Sequence, residues 1–170
     1  MRNKDSMKLY YTTFESPLGW LLLVGKDGKL VELHRPKPSR EEAISDVPPE
    51  AEESESGFGE IIELLRLYFQ GKPVDFSRVP VELDGLGEFE KSVLIETMRI
   101  PYGSITSYGE LAAIAGSPGA ARAVGNAMRK NPLLIIVPCH RVLYSSGGIG
   151  GYSAGLNLKR KLLALEGVSI

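Results

Sequence analysis

The segment that decides the fold comprises residues 107–130, "SYGELAAIAGSPGAARAVGNAMRK". Its first part predicts a helix, because Ser107 is followed three residues later by Glu110. This pair is typical of a capping box, in which each side chain accepts a hydrogen bond from an otherwise free N–H group at the helix start. Gly116 predicts the end of this helix, since glycine readily adopts the positive φ of the residue that follows a helix.

A second helix is predicted to start with Ser117 as N-cap and Pro118 at the first helical position, and to continue to Lys130. Two short helices joined by so short a turn are typical of a helix-turn-helix, although helical hairpins in bundles give a similar pattern. Most side chains of the second helix are small: Gly119, Ala120, Ala121, Ala123, Gly125 and Ala127. A helix surface of small side chains allows tight packing against another helix. Given Arg122 and Arg129, it also allows close approach to a nucleic acid.

Downstream lies "LLIIVPCHRVL", residues 133–143, which predicts a buried strand that ends or bends at Pro138. Cys139 is the only cysteine, which excludes an intramolecular disulfide and a cysteine-rich zinc site. A lone cysteine is usually a small buried residue, and neighbouring side chains of a strand point to opposite faces. Cys139 and His140 can therefore act together only if the chain turns here or a water molecule connects them.

The C-terminal segment contains a glycine-rich loop and a last helix. The loop "SSGGIGGYSAG", residues 145–155, matches neither nucleotide-binding glycine motif, so we expect it to fold over a small flat ligand. "LNLKRKLLALEG", residues 156–167, predicts an amphipathic helix with Glu166 in its last turn. A carboxylate is unfavourable at the negative end of the helix dipole, so we expect Glu166 to have a compensating partner.

The N-terminal half predicts a small sheet. "KLYYTTFES", "WLLLVG" and "KLVELHR" are typical strand sequences, and Asp27-Gly28 predicts a two-residue hairpin turn. Residues 36–57 contain prolines and acidic residues and predict an exposed loop with at most a short helix. "FGEIIELLRLYFQG", residues 58–71, and "LGEFEKSVLIETMRI", residues 86–100, predict helices. The fold class expected is α+β, with an antiparallel sheet and one helix in residues 1–84 and a helical part in residues 85–170.

Charge and composition restrict the function. Residues 1–85 contain 11 Lys and Arg against 16 Asp and Glu residues, whereas residues 86–170 contain 9 against 5. This segregation indicates that only the second half meets a polyanion. No apolar run approaches the length that spans a bilayer, and the N-terminus lacks the apolar core of a signal peptide. We therefore expect a cytoplasmic protein without membrane contact.

Four segments together resemble the O6-alkylguanine-DNA alkyltransferases: "PYGSITSYGELA", "ARAVGNAMRKNP", "VPCHRV" and "GGIGGYSAGLNLKRKLLALEG". The resemblance is ordered and nearly continuous over residues 101–167, and only loose before them. It implies a winged-helix-like C-terminal domain and direct transfer of a methyl or alkyl group from guanine O6 in DNA, and less efficiently from thymine O4, to a cysteine of the protein. It also implies single use of each molecule, no cofactor, and a monomer that acts on double- and single-stranded DNA.

The resemblance assigns chemical roles by position. Cys139 is the alkyl acceptor, His140 acts on it as a base through a water molecule, and Glu166 orients His140. Tyr108 donates its proton toward guanine N3, and Asn131 ties the second helix to the site. The arrangement follows the logic of a hydrolase triad without turnover.

The resemblance also assigns the binding residues. The base, extruded from the duplex, would contact the Val137 carbonyl, the Ser153 backbone and the Tyr152 ring, with Gly150 and Gly151 forming the tight loop. Arg122 would fill the space that the base leaves. The helix with Ala121, Ala123 and Arg129 would lie in the minor groove, which is too narrow for large side chains.

Three other functions fit parts of the sequence. A non-catalytic lesion-binding protein of the same fold would lack the cysteine, typically replaced by tryptophan. A cysteine hydrolase would need an oxyanion hole and would turn over repeatedly. A helix-turn-helix regulator would show strong sequence preference, whereas backbone binding in the minor groove weakens steeply with salt. With one cysteine, no metal site is expected.

Overall fold

The computed structural model describes residues 8–170. Residues 1–7, part of the N-terminus for which we expect no signal peptide, lie outside the described residues. The N-terminal half contains β1 (Tyr10–Ser16), β2 (Gly19–Lys26), β3 (Lys29–Leu33), α1 (Arg40–Ile44), β4 (Glu52–Glu53) and α2 (Gly59–Phe69). The C-terminal half contains α3 (Glu88–Met98), β5 (Thr106–Ser107), α4 (Tyr108–Ile114), α5 (Ala121–Arg129), a 3₁₀ turn (Cys139–Arg141), β6 (Val142–Leu143) and α6 (Leu156–Leu165).

The N-terminal sheet has the strand order β3-β2-β1-β4. The hairpin between β2 and β3 is confirmed: Asp27 and Gly28 have φ values of 51° and 76°, as its turn requires. One detail of the expectation is wrong: the sheet is mixed, because β4 pairs with β1 in parallel at its edge. The short helix that was allowed for in residues 36–57 forms as α1, after Ser39. The α+β fold class itself is confirmed.

The helix-turn-helix forms, with one boundary shifted. Ser107 and Glu110 make both hydrogen bonds of the capping box, and Gly116 follows α4 with φ of 82°. The second helix was expected to begin at Ser117, but α5 begins at Ala121. Gly119 has φ of 82°, which is outside the helical region, so Ser117 and Gly119 belong to a turn.

Residues 133–143 are buried as expected, but the predicted strand is wrong. Leu133 makes a single bridge to Leu33, Ile135 has φ of 71°, and the chain turns until β6. The cause is the Asn131 side chain, whose Oδ1 accepts the Leu133 N–H at 2.9 Å and whose amide donates to the Val137 carbonyl at 3.1 Å. These bonds replace the ladder bonds of a strand.

One core joins the two halves. Buried side chains from β2, β3 and α2 pack in the same cluster as those from α3, α4, α5 and residues 133–137. Backbone bonds reinforce this contact, since the N–H groups of Leu33 and Leu134 donate to the Pro132 and Leu33 carbonyls at 2.9 and 3.2 Å. Within residues 8–170, no helix is long and apolar enough to cross a membrane.

Candidate active site

The site is built around the 3₁₀ turn that begins at Cys139, directly after Pro138. The backbone therefore turns at the cysteine, which is one of the two arrangements that would let Cys139 and His140 act together. Cys139 is only 3% exposed, but it borders a cavity of about 780 Å³. Its sulfur accepts a hydrogen bond from the Asn131 side-chain amide at 3.2 Å, so a polar group contacts the sulfur.

The cavity lies between α4, α5 and the glycine-rich loop. Eight residues expected at the site line it: Tyr108, Ala121, Arg122, Arg129, Cys139, Gly151, Tyr152 and Ser153. Four lining residues were missed: Gly125, Asn126, Met128 and Tyr144. Gly125 and Asn126 follow Arg122 at spacings of three and four, so helical periodicity could have found these two residues. Nothing in the sequence marked Tyr144.

Other expected site residues lie outside the cavity lining. Val137 is fully buried, and its carbonyl accepts the Asn131 amide at 3.1 Å and the Cys139 N–H at 2.7 Å. Asn131 lies behind Cys139, and Ala123 is exposed on α5. Gly150 packs under Tyr108: its φ is 74°, and a Cβ there would lie 2.8 Å from the Tyr108 ring. Glycine is thus required at this position.

His140 is fully buried beside Cys139, and its Nε2 lies 2.5 Å from Glu166 Oε2. Burial lowers the pKa of His140, although Glu166 opposes this effect. The hydrogen-bond network then assigns the proton to Nε2, which donates to the carboxylate. Nδ1 has no hydrogen-bond partner among residues 8–170, so it is a free acceptor in a buried position.

Glu166 is the ionised centre of this network. Its Oε1 accepts from Arg141 Nε at 2.7 Å and from the Gly103 N–H at 3.1 Å, and its Oε2 also accepts from the Tyr68 hydroxyl at 2.7 Å. Burial raises the pKa of Glu166, but the bonds from His140 and Arg141 outweigh burial and lower this pKa to about 2. These contacts are the compensating partners expected for an acid at the end of α6.

Tyr108 and Tyr152 form two walls of the cavity. The Tyr108 hydroxyl donates to the Gly151 carbonyl at 3.3 Å. Burial raises the pKa of Tyr152, and interaction with the Cys139 thiol raises it further. In the described part of the chain, no group accepts or donates a well-formed hydrogen bond at the Tyr152 hydroxyl. The Tyr152 hydroxyl therefore has an unused donor, whereas a bound molecule must displace the Tyr108 hydroxyl from the Gly151 carbonyl.

Lys159 is a polar residue of the site that the sequence did not reveal. It is fully buried, and its Nζ donates to the Val142 and Gly151 carbonyls at 2.7 and 2.9 Å. Burial lowers the pKa of Lys159 to about 8, against an opposing effect of Cys139. In the sequence, Lys159 is one of three consecutive basic residues on α6, and only the packing of α6 distinguishes it from the other two.

The Cys139 thiol has a pKa above its ordinary value, because the effect of burial outweighs the effects that oppose it. Burial raises its pKa, whereas the Asn131 hydrogen bond and the Lys159 charge lower it. The resting residue is a thiol, so a base must remove its proton before it can act as a nucleophile. Among the described residues, no group of three or more His, Cys, Asp or Glu side chains could hold a metal ion.

Comparisons with known proteins agree with this architecture. Residues 9–83 match the ribonuclease-like domain of 6-O-methylguanine DNA methyltransferase, and residues 88–168 match its DNA binding domain. A methylated-DNA–protein-cysteine methyltransferase of Methanosarcina acetivorans is 42% identical over 94% of this chain and 99% of its own. Its Mycobacterium tuberculosis counterpart is 42% identical over 93% and 92%.

Solved structures show the same fold. The M. tuberculosis OGT in complex with DNA has a TM-score of 0.80 and 40% identity over 92% of both chains. An enzyme from Pyrococcus kodakaraensis has a TM-score of 0.72 and 25% identity over 94% of this chain and 99% of its own.

Fold and site together define a DNA-repair transferase that uses a protein cysteine as acceptor. The chain belongs to the methylated-DNA–protein-cysteine methyltransferase family. The expected family, fold class and transferase activity are therefore confirmed, and the hydrolase, the regulator and the non-catalytic lesion binder are set aside. Its activity is transfer of a methyl group from DNA to a cysteine of the protein.

Proposed function

We propose that Cys139 accepts the alkyl group of O6-alkylguanine, once per protein molecule. The observation that supports this proposal is that Cys139, the only cysteine, borders a cavity of about 780 Å³, while His140 and Glu166 are buried next to it. In the reaction the sulfur–carbon bond forms as the carbon–oxygen bond to guanine O6 breaks. The product thioether is stable, so no second cycle follows.

The thiol proton passes to His140. The free acceptor Nδ1 takes this proton through one water molecule, and the Glu166 carboxylate stabilises the imidazolium that forms. The Asn131 amide, which donates to the sulfur, stabilises the developing thiolate, and the buried Lys159 ammonium does so by its charge. The three groups thereby oppose the effect of burial on the thiol.

The leaving guanine needs a proton and a fixed position. Tyr108 donates its proton toward guanine N3, which requires its hydroxyl to leave the Gly151 carbonyl, and the long 3.3 Å bond makes this exchange inexpensive. Tyr152 packs on the face of the base and the Ser153 backbone binds its edge, whereas the Val137 carbonyl is buried and already accepts two hydrogen bonds. The loop of Gly150 and Gly151 keeps the Tyr108 ring in place.

DNA binding is assigned to α5. Its exposed face consists of small residues such as Ala123, which lets the helix enter the minor groove. Arg122, which is exposed at the cavity, fills the place that the extruded base leaves in the duplex, and Arg129 contacts the DNA backbone. The Mycobacterium tuberculosis relative was solved in complex with DNA, which supports this partner.

The remaining proposals concern context. The protein acts as a cytoplasmic monomer on double- and single-stranded DNA, and it accepts O4-alkylthymine less efficiently. Residues 1–84 form one domain and residues 85–170 the second, which contains the site. The core that both halves share makes them act as one body.

The experiment is intact-mass spectrometry after incubation with duplex DNA that contains O6-methylguanine. We expect every protein molecule to gain the mass of one methyl group, and the amount of repaired guanine to equal the amount of protein. Many repaired guanines per protein, or no gain of mass, would disprove the proposal.

Replacing Arg122 with alanine should slow transfer from duplex DNA by about tenfold or more. Without the arginine side chain no group fills the space that the extruded base leaves in the duplex, so nothing offsets the free energy of unstacking. Transfer from the free base O6-methylguanine, which needs no extrusion, should proceed at nearly the same rate as in the parent protein. The measurement is single-turnover kinetics on both substrates, with Arg160→Ala on α6 as a control for loss of one exposed positive charge. Equal slowing on both substrates would contradict the role of Arg122.

Replacing Lys159 with methionine should slow transfer at pH 7 by about tenfold, since one lost charge near the sulfur raises the thiol pKa by about one unit. The pKa of Lys159 is about 8, so the parent itself loses this charge above that pH, and the difference between the two proteins should shrink there. Single-turnover rates at pH 7 and pH 9 measure this, with the exposed Lys161→Met as control. Equal rates of parent and Lys159→Met at pH 7 would refute it.

A further inference from the structure

Tyr68 connects the N-terminal half to the active site. It lies in α2 and is fully buried. Its ring packs against Phe69, Phe76 and Tyr102, with centroid distances of 5.3, 5.5 and 6.0 Å. These contacts account for an aromatic ring at this position, but a phenylalanine would make them equally well. The hydroxyl therefore needs a separate explanation.

The hydroxyl donates to Glu166 Oε2 at 2.7 Å, across 98 positions of sequence. The same oxygen lies 2.5 Å from His140 Nε2, so Tyr68 and His140 share one acceptor. The carboxylate side chain is completely shielded from solvent. Water cannot replace a lost partner there, and a buried acceptor without its donor is costly. The position of this oxygen thus depends on a residue of the N-terminal half.

We propose that Tyr68 is a positioning residue for the transfer reaction, which fixes the Glu166 carboxylate and through it the His140 imidazole. This inference rests on the proposed function of His140 as the base. It gives the N-terminal half a role in the reaction, since α2 supplies one of the four donors that residues 8–170 provide to the carboxylate. The other three donors come from the C-terminal half.

Removal of the hydroxyl should have two effects. The carboxylate can rotate, so His140 spends less time in the orientation that accepts the thiol proton. The negative charge also loses one hydrogen-bond donor and acts more strongly on His140, which favours the imidazolium. Since the base works only when neutral, the acid limb of the pH–rate profile should move to higher pH. The ionisable groups that face Glu166 are His140, Arg141, Tyr68, Tyr102 and Tyr152.

The test compares Tyr68→Phe with Tyr102→Phe, a control that removes a neighbouring hydroxyl bound to the Leu165 carbonyl at 3.1 Å instead of the carboxylate. Single-turnover methyl transfer from duplex DNA is measured from pH 5 to pH 9. Thermal unfolding and affinity for undamaged duplex are measured in parallel. We expect Tyr68→Phe to slow transfer by about tenfold on the plateau, a fraction of what general base catalysis contributes, with a raised acid-limb midpoint and unchanged DNA affinity.

A double-mutant cycle isolates the path through Glu166. Adding Tyr68→Phe to Glu166→Gln should cause little further loss of rate, because the group that Tyr68 holds is already gone. An unchanged rate, an unmoved midpoint, or a full tenfold loss in the Gln background would each overturn the inference. If the unmodified protein fails to transfer one methyl group per molecule, the proposed function fails instead, so the two failures are distinguishable.

Discussion

Replacing Cys139 with alanine abolishes methyl transfer, while the affinity for duplex DNA stays within about threefold of the parent protein, a difference below 1 kcal/mol. The reason is that the sulfur is the proposed nucleophile, whereas helix α5 and Arg122, to which we assign DNA binding, keep their positions. Gel-shift titration and methyl-transfer assays on the same preparation measure both properties. Cys139→Ser, which keeps the size of the side chain, should also be inactive, since an alcohol at this position is not ionised.

The result that contradicts this prediction is methyl transfer by Cys139→Ala to any other residue. Loss of DNA affinity together with activity would also count against it, because the cysteine would then be needed for the shape of the site. Thermal unfolding of the variant shows whether the fold is intact. Alanine leaves a small gap beside a cavity that already exists, so we expect a modest change in stability.

Replacing Glu166 with glutamine should slow transfer by about 100-fold or more, the range expected when a general base is disabled. Glutamine keeps the shape but loses the charge that stabilises the His140 imidazolium, and its amide nitrogen can face His140 in place of an acceptor. Single-turnover kinetics measure the rate. Glu96→Gln is the matched control, since Glu96 pairs with Arg99, away from the Glu166 network, and should behave like the parent.

The pH dependence of the Glu166→Gln variant has a definite sign. In the parent, burial lowers the pKa of His140 and Glu166 partly restores it. Without the carboxylate this pKa falls further. Because the neutral imidazole is the active form, the acid-limb midpoint of the variant should lie at lower pH than that of the parent, opposite to the shift expected for Tyr68→Phe. A midpoint that does not move would show that His140 is not the base.

Local signals predicted the elements that frame the site. The capping box of Ser107 and Glu110 and the hairpin at Asp27-Gly28 formed as expected, because both depend on residues within one turn of each other. The start of α5 was misplaced because Ser117-Pro118 matches a helix start equally well, whereas the positive φ of Gly119 decides against it. The strand expected in residues 133–143 was wrong because the bonds of the Asn131 side chain outweigh strand propensity there.

Contacts between segments that are distant in the chain could not be predicted from the sequence. The resemblance carried by the four C-terminal segments indicated the reaction and eight of the residues that line the cavity, but it did not indicate Lys159 or Tyr68. Lys159 is distinguished by burial against the Val142 and Gly151 carbonyls, which requires the packed position of α6. Tyr68 reaches Glu166 across the boundary between the two halves, and an aromatic residue in α2 fits a core position without its hydroxyl. Packing alone reveals these partners.

The most direct test of the central claim is tandem mass spectrometry of a digest after reaction with one equivalent of duplex DNA containing O6-methylguanine. The account predicts S-methylcysteine at Cys139 in an amount equal to the guanine restored. Unmodified Cys139 alongside repaired DNA, or a methyl group on any other residue, would contradict it.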